Sequence, residues 1–333
     1  MSFKNQAYPF LLCGVGKDYL WGGNRLKDDF GKDYGIYPLA ESWECSTHPN
    51  GESLVASGPY IGLTLAKVLK KHPKYLGNNN FNKKGQLPIL IKFIDAKSDL
   101  SIQVHPSDEY AKEKEHNQLG KTEMWYVLDS KEGSTLTYGF HKDMSRDSVK
   151  KAIESNNIEK FLNKVKIHPN DLFLINAGTI HAINAGALIV EIQESSDLTY
   201  RVYDYDRRDK NGNKRELHVN KALDVLNYNK MDKPSQPLRV LKYKPGYANE
   251  LLIRCKYFQV ERILINTEIV RDYIDFDVDP SSFEVFVCCS GQGSVSDGTN
   301  YFFNFYKGDT IFIPATCKKF RVNGKASLLK VTC

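Results

Sequence analysis

The period of hydrophobic and polar positions changes several times along this chain, and the changes divide it into elements. The clearest pattern lies between Ser101 and Tyr126, where S-I-Q-V-H-P and G-K-T-E-M-W-Y-V-L flank a polar connection. In extended backbone, successive side chains alternate between faces. That puts Ser101, Gln103 and His105 on one face and Ile102 and Val104 on the other. In the second segment Lys121, Glu123 and Trp125 share a face, with Met124 and Tyr126 behind them. Two strands thus each carry polar groups in front of an apolar back. A sheet seldom turns Gln, His, Lys and Glu inward unless something there needs them.

The remaining segments follow the same logic. E41-S-W-E-C-S alternates and then breaks at Pro49, Asn50 and Gly51, as a strand entering a turn does, with His48 read as an exposed turn residue. Leu65, Val68 and Leu69 form a helical stripe in a region spanning about 63–77. L87-P-I-L-I-K-F-I-D reads as a buried strand. A second helical region, about 145–166, rests on Val149, Ile153, Ile158, Phe161, Leu162 and Val165. N170-D-L-F-L-I-N-A-G-T-I-H gives a strand, a turn at Gly178 and a restart at His181. In the following A-L-I-V-E-I-Q-E, Glu191 and Gln193 share one face. A short helix near Asn220–Leu226 precedes a linker rich in Pro and Lys, and beyond it the pattern is β throughout.

A weak internal repeat organises these strands. T122-E-M-W-Y-V-L-D parallels F283-E-V-F-V-C-C-S, and N170-D-L-F-L-I-N-A-G-T-I-H parallels G308-D-T-I-F-I-P-A-T-C-K-K. The G-D-x-x-x-I-P-A pattern is the second-half signature of a cupin jelly roll. The expected fold is therefore mainly β, two cupin-like jelly-roll barrels with helical insertions in the N-terminal part. Residues 1–235 form the metal-bearing domain, and 236–333 form a C-terminal β domain without a metal, since lysine stands where the first copy has His181.

Composition narrows the function classes. The 333 residues are 41% hydrophobic and 26% charged, as in a globular protein. The net charge of +6 is spread without a basic run, which gives nucleic-acid binding little support. No apolar stretch approaches the ~20 residues of a membrane span. The seven cysteines include no C-x-x-C and read as free thiols of a cytoplasmic protein.

The candidate chemistry sits at His105, Glu123 and His181, with Gln103 beside His105. Imidazole and carboxylate are ligands for zinc and neighbouring divalent metals. A single histidine in such a place is more often a core or surface residue. Three such groups in β context, each flanked by apolar residues facing the other way, favour a metal. Trp125 fits core packing equally well.

S-I-Q-V-H-P, G-K-T-E-M-W-Y, A-G-T-I-H-A-I-x-A-G and S-D-L-T-Y-R-V-Y-D-Y-D-R together closely resemble type I mannose-6-phosphate isomerases in their short bacterial form. The resemblance runs from about Trp21 to the end and is dense between residues 87 and 226. It implies a cupin fold, one zinc ion per chain and interconversion of mannose 6-phosphate and fructose 6-phosphate through a cis-enediol. It assigns Gln103, His105, Glu123 and His181 to the metal, Ser101 and Lys121 to substrate, and Arg201 and Glu191 to catalysis. Glu191 is then the candidate base, with a metal-bound water as competitor. Two other readings stay open: a cupin oxygenase, since two histidines and a carboxylate suit iron, and a non-catalytic sugar-phosphate-binding protein. Gln103 and the cationic Lys121 and Arg201 argue against the first, the intact ligand set against the second.

Overall fold

The computed structural model describes residues 7–80, 82–209, 211–268, 272–299 and 301–333, and among these the fold is mainly β. Three sheets are built from antiparallel pairings. The six-stranded sheet runs Leu172–Ile175, Glu123–Ser130, Ala187–Glu194, Ile89–Asp95, Glu41–Cys45, Val15–Lys17. The five-stranded sheet runs Tyr200–Tyr203, Ile102–Val104, His181–Ile183, Thr135–Phe140, Leu162–Lys166. The ten-stranded sheet holds the strands after the linker and takes up Phe10–Cys13 and Leu54–Val55 from the start of the chain; Phe10–Cys13 pairs with Thr310–Ile313.

The layers follow from alternation along the six-stranded sheet. Its back face (Ile91, Phe93, Met124, Tyr126, Val190, Ile192) shares a hydrophobic core with Val285, Phe286, Val287 and Leu329 of the ten-stranded sheet. Part of its front face (Ile94, Trp125, Val127, Ile189) meets Leu136, Tyr138 and Ile183 of the five-stranded sheet. The outer face of the five-stranded sheet is closed by Val149, Ala152 and Ile153 of the helix Arg146–Glu154 and by Ala222 and Leu223 of the helix Val219–Val225.

Three local outcomes differ from the sequence pattern. The first helical region resolves into an α-helix, Leu65–Lys71, capped by Thr64, and a 3-10 turn, Pro73–Leu76. The second ends as helix at Phe161, and Leu162–Lys166 is a strand because it pairs along Thr135–Phe140. The polar connection after His105 contains a helix, Asp108–Lys114, whose first turn is held by the side chain of Ser107. Ser107 followed by Asp108 and Glu109 is the usual helix-start chemistry, acceptor at the cap and acids in the first turn.

Candidate active site

Register places the polar groups of each inner sheet in a line. Across the six-stranded sheet, Trp43 lies opposite Lys92, Lys92 opposite Glu191, and Glu191 opposite Trp125. Across the five-stranded sheet, Arg201 lies opposite Gln103, Gln103 opposite His181, and His181 opposite Tyr138. Directly opposed residues point to the same face, so each sheet offers one polar row. Ser101, Gln103, Lys121, Glu191 and Arg201 line one cleft of about 520 Å³, together with Tyr19, Trp21, Glu41, Lys92, Asp197 and Arg215.

At the floor, His105, Glu123 and His181 are fully buried, and their ligand atoms all lie within 4.8 Å of one another. His105 Nε2 is 3.4 Å from Glu123 Oε2, and His181 Nε2 is 3.3 Å from Glu123 Oε1. Each imidazole spends Nδ1 on a backbone carbonyl: His105 donates to Leu198 at 2.7 Å and His181 to Thr179 at 2.8 Å. That fixes the tautomer and leaves both Nε2 lone pairs facing Glu123, as ligating histidines are held. Burial, with Lys121 beside it, pushes His105 down to about 4, and burial lowers His181 as well, so both rings are neutral near pH 7. Burial opposes ionisation of Glu123, yet Lys121 and the two histidines hold its carboxyl well below the usual range. Glu123 Oε1 is buried and accepts no hydrogen bond. An ionised, buried carboxylate flanked by two neutral Nε2 lone pairs suits a divalent cation. Gln103 turns Nε2 toward His181 Nε2 at 3.4 Å and Oε1 toward Ser101 Oγ at 3.5 Å. Its amide exchanges donor for acceptor by a half-turn.

Above the floor, charges alternate. Lys121 Nζ is 2.6 Å from Glu123 Oε2, 3.2 Å from His105 Nε2 and 3.6 Å from Glu191 Oε1. Lys92 Nζ is 3.3 Å from Glu191 Oε1 and 3.7 Å from Glu41 Oε2. Burial works against the Lys92 ammonium, but Glu41 and Glu191 more than offset it and push it above the usual lysine range. Two tryptophans brace the carboxylates: Trp125 Nε1 donates to Glu191 Oε2 at 2.9 Å and Trp43 Nε1 donates to Glu41 Oε2 at 2.7 Å. Glu191 Oε1 accepts no hydrogen bond. At the mouth, burial and the like charge of Arg215 lower Arg201, whose buried Nε makes no hydrogen bond. Arg215 is fixed by Asp204 through Nε at 2.8 Å and Nη2 at 2.6 Å.

Comparison with known proteins shows the family of the chain. A family model described as the catalytic domain of type I phosphomannose isomerase matches residues 10–136. A Bacillus subtilis relative is 36% identical over 96% of this chain and 98% of its own length. The mannose-6-phosphate isomerase of Streptococcus mutans is 34% identical over 97% of this chain and 98% of its own. The chain belongs to the type I phosphomannose isomerase family. The crystal structure of the Bacillus subtilis mannose 6-phosphate isomerase superposes with a TM-score of 0.88 at 35% identity, covering 98% of this chain and 99% of that one. A mannose 6-phosphate isomerase solved in a zinc-bound holo form shares the fold, with a TM-score of 0.72 at 18% identity over 98% and 99% of the two chains.

In this phosphomannose isomerase family member Ser101, Gln103, Lys121, Glu191 and Arg201 line one cleft, and the buried His105, Glu123 and His181 adjoin it through Lys121 and Gln103. Sequence reasoning missed Glu41, Trp43, Lys92 and Arg215. Lys92 carried a signal, since it is the lone cation of a strand that is otherwise apolar up to Asp95. His48 is half-buried and stands edge-on to Trp43, with ring centroids 5.9 Å apart. The second repeat carries no comparable cluster among the described residues. Lys319, at the place of His181, pairs with Asp275 at 2.9 Å, and Glu284, at the place of Glu123, pairs with Lys330 at 2.6 Å.

Proposed function

We propose that this protein interconverts mannose 6-phosphate and fructose 6-phosphate with one zinc ion held by Gln103, His105, Glu123 and His181. The observation that carries it is the buried His105–Glu123–His181 cluster beneath a cation-rich cleft, in a chain whose family is shown. Relatives of this chain bear the isomerase name, and a structural neighbour is zinc-bound. When bound, the metal supplies Lewis-acid stabilisation of oxygen charge as the carbonyl moves between C1 and C2.

The chain's own residues supply the rest. Isomerisation removes a proton from the carbon next to the carbonyl, passes through a cis-enediol, and returns the proton to the neighbouring carbon. Glu191 carries that proton on Oε1, while Trp125 fixes Oε2 and so aims the carboxylate. Lys121 and Ser101 orient the sugar oxygens, and Lys121 also offsets charge developing on them. Arg201 and Arg215, converging at the mouth, take the phosphate. Trp21 and Tyr19 on the cleft wall keep water from the reacting carbons. Residues 1–235 then make up the catalytic domain, and 236–333, without a metal, supports it.

A coupled assay for fructose 6-phosphate formed from mannose 6-phosphate tests the reading, run before and after chelation, with zinc restored, and with His105→Ala alongside. Turnover that chelation abolishes, zinc returns and the variant lacks is the expected result. Folded, zinc-replete protein without turnover would refute it.

A further inference from the structure

The residues that deliver Lys121 and Glu123 are held from behind at three consecutive backbone amides. Gly120 N–H donates to Asp108 Oδ1 at 3.0 Å, Lys121 N–H to the Pro106 carbonyl at 3.0 Å, and Thr122 N–H to Glu194 Oε1 at 2.7 Å. The fit against Asp108 is close: a Cβ at position 120 would lie 2.4 Å from the Asp108 nitrogen and 2.5 Å from the Ser107 carbonyl carbon. The other oxygen of Asp108 is held by two residues from beyond the linker. It accepts from Tyr257 Oη at 3.1 Å and from Lys256 Nζ at 3.4 Å. Both residues sit in the turn joining the strands Tyr247–Arg254 and Gln259–Asn266, closed by Cys255 N–H on the Phe258 carbonyl at 3.0 Å. That turn belongs to the part of the chain after the linker, whose described residues contribute nothing to the cleft lining.

We infer that Tyr257, acting through Asp108 and Gly120, is a positioning residue for Lys121 and Glu123, so that the C-terminal β unit braces the active site. The inference rests on the isomerase reading and extends it, giving the second unit a role beyond covering the first. The physical reason is geometric. Lys121 and Glu123 are separated by one residue, and Gly120 and Thr122 on either side of Lys121 are both fixed by acidic side chains, Asp108 and Glu194. A carboxylate whose second oxygen is anchored to another element cannot swing, so its hydrogen bond to Gly120 keeps its direction. Releasing Tyr257 removes the shorter of the two contacts on Asp108 Oδ2 and leaves the longer one, from the exposed Lys256 ammonium at 3.4 Å, so that Asp108 turns more freely, the amide of Gly120 loosens and the Lys121 ammonium drifts. Small displacements of this kind weaken chemistry more than substrate capture, because the phosphate-facing arginines stand on other segments.

Tyr257→Phe and Asp108→Asn, made singly and together in the full-length protein, test this by two independent readouts. The first is amide hydrogen exchange over residues 118–124, which needs neither substrate nor metal. The second is kcat and KM of the zinc-loaded enzyme. Tyr257→Phe removes one hydroxyl from a half-buried ring, and it is the arm that stays informative if Asp108→Asn unfolds. Expected are exchange at Gly120 and Lys121 faster by about tenfold, and kcat lower by about fivefold or more with KM within about twofold. The double variant should be no worse than the poorer single one, as for residues acting in series. Unchanged exchange would overturn the inference, and so would faster exchange with unchanged kcat. A wild type that binds zinc and does not turn over would instead refute the isomerase reading, while the exchange arm would still decide whether Tyr257 holds the segment.

Discussion

Replacing Trp125 by Phe separates two roles that the sequence left equally open. The ring is fully buried and stands edge-on to His181, with centroids 5.4 Å apart, so packing alone justifies an aromatic residue here. The indole nitrogen adds a hydrogen bond of 2.9 Å to Glu191 Oε2, and both partners are buried. Phenylalanine keeps most of the ring and removes that donor. A hydrogen bond to a charged group contributes about 1.5–3 kcal/mol, and an orphaned buried acceptor costs a similar amount. If the bond aims Glu191 during proton transfer, its loss appears in kcat as about 10- to 150-fold, since each 1.4 kcal/mol is about tenfold. Urea unfolding should show a loss of similar size from the smaller ring and unsatisfied oxygen.

The assay is steady-state turnover of zinc-loaded protein with mannose 6-phosphate, beside an unfolding curve at the same pH. Trp43→Phe is the matched comparison. It removes an equivalent bond of 2.7 Å to Glu41, a carboxylate that touches Lys92 but neither Lys121 nor Glu123. It should destabilise to a similar degree and lower kcat by less than about fivefold. If Trp125→Phe loses stability but keeps kcat within about twofold, Trp125 is packing only and Glu191 is not aimed by it.

Three further outcomes can be checked directly. Burial, and the Asp108 carboxylate beside it, push Glu194 up to about 8. Its stabilising contribution is therefore present below the unfolded value of 4.5 and is lost as pH rises through about 8. Relative to Glu194→Gln, wild-type unfolding free energy should fall by up to about 1.4 kcal/mol per pH unit in that window, and parallel urea profiles would refute this. Gly120→Ala forces its methyl group against the Ser107–Asp108 backbone, which cannot rotate away, and should cost about 1–3 kcal/mol in chemical denaturation; an unchanged midpoint would contradict the close fit. Chelation should lower the melting temperature and zinc should restore it, because a ligand at ~1,000 times its Kd adds about 4 kcal/mol; a melting temperature indifferent to both would remove the metal from the floor of the cleft.

Much of this site was legible because a strand's alternation is rigid. Once Ile102 and Val104 face a core, Gln103 has one place to point, and the same argument carries Lys121, Glu123 and Trp125. What stayed hidden depends on contacts distant in sequence. Leu162 and Val165 continue a helical stripe by spacing, and only the neighbouring strand Thr135–Phe140 makes them a strand. Phe10–Cys13 gives no local sign that it will pair with Thr310–Ile313. Arg215 lies in a polar segment that resembles any surface loop until Asp204 turns it toward the cleft. Lys92 was readable and passed over, since a lone lysine inside an apolar strand is either misplaced or paired.

The pairing of Lys92 also explains why the fold tolerates so many inward charges. Glu41, Lys92, Glu191, Lys121 and Glu123 alternate in sign through neighbouring contacts of 2.6–3.7 Å. Each buried charge thus meets its opposite, which limits a desolvation penalty that isolated ions could not bear. Three carboxylates against two ammonium groups leave one formal negative charge beside two neutral histidines, a balance that favours a cation at the floor. Arg201 and Arg215 reverse the sign at the mouth, where an anionic substrate would enter. The apolar back of the same sheet, buried against the ten-stranded sheet, supplies the cohesion that the charged front does not. A face given over to charge therefore needs a second unit behind it, and the Tyr257–Asp108 contact lies where that unit also reaches the segment leading to Lys121 and Glu123.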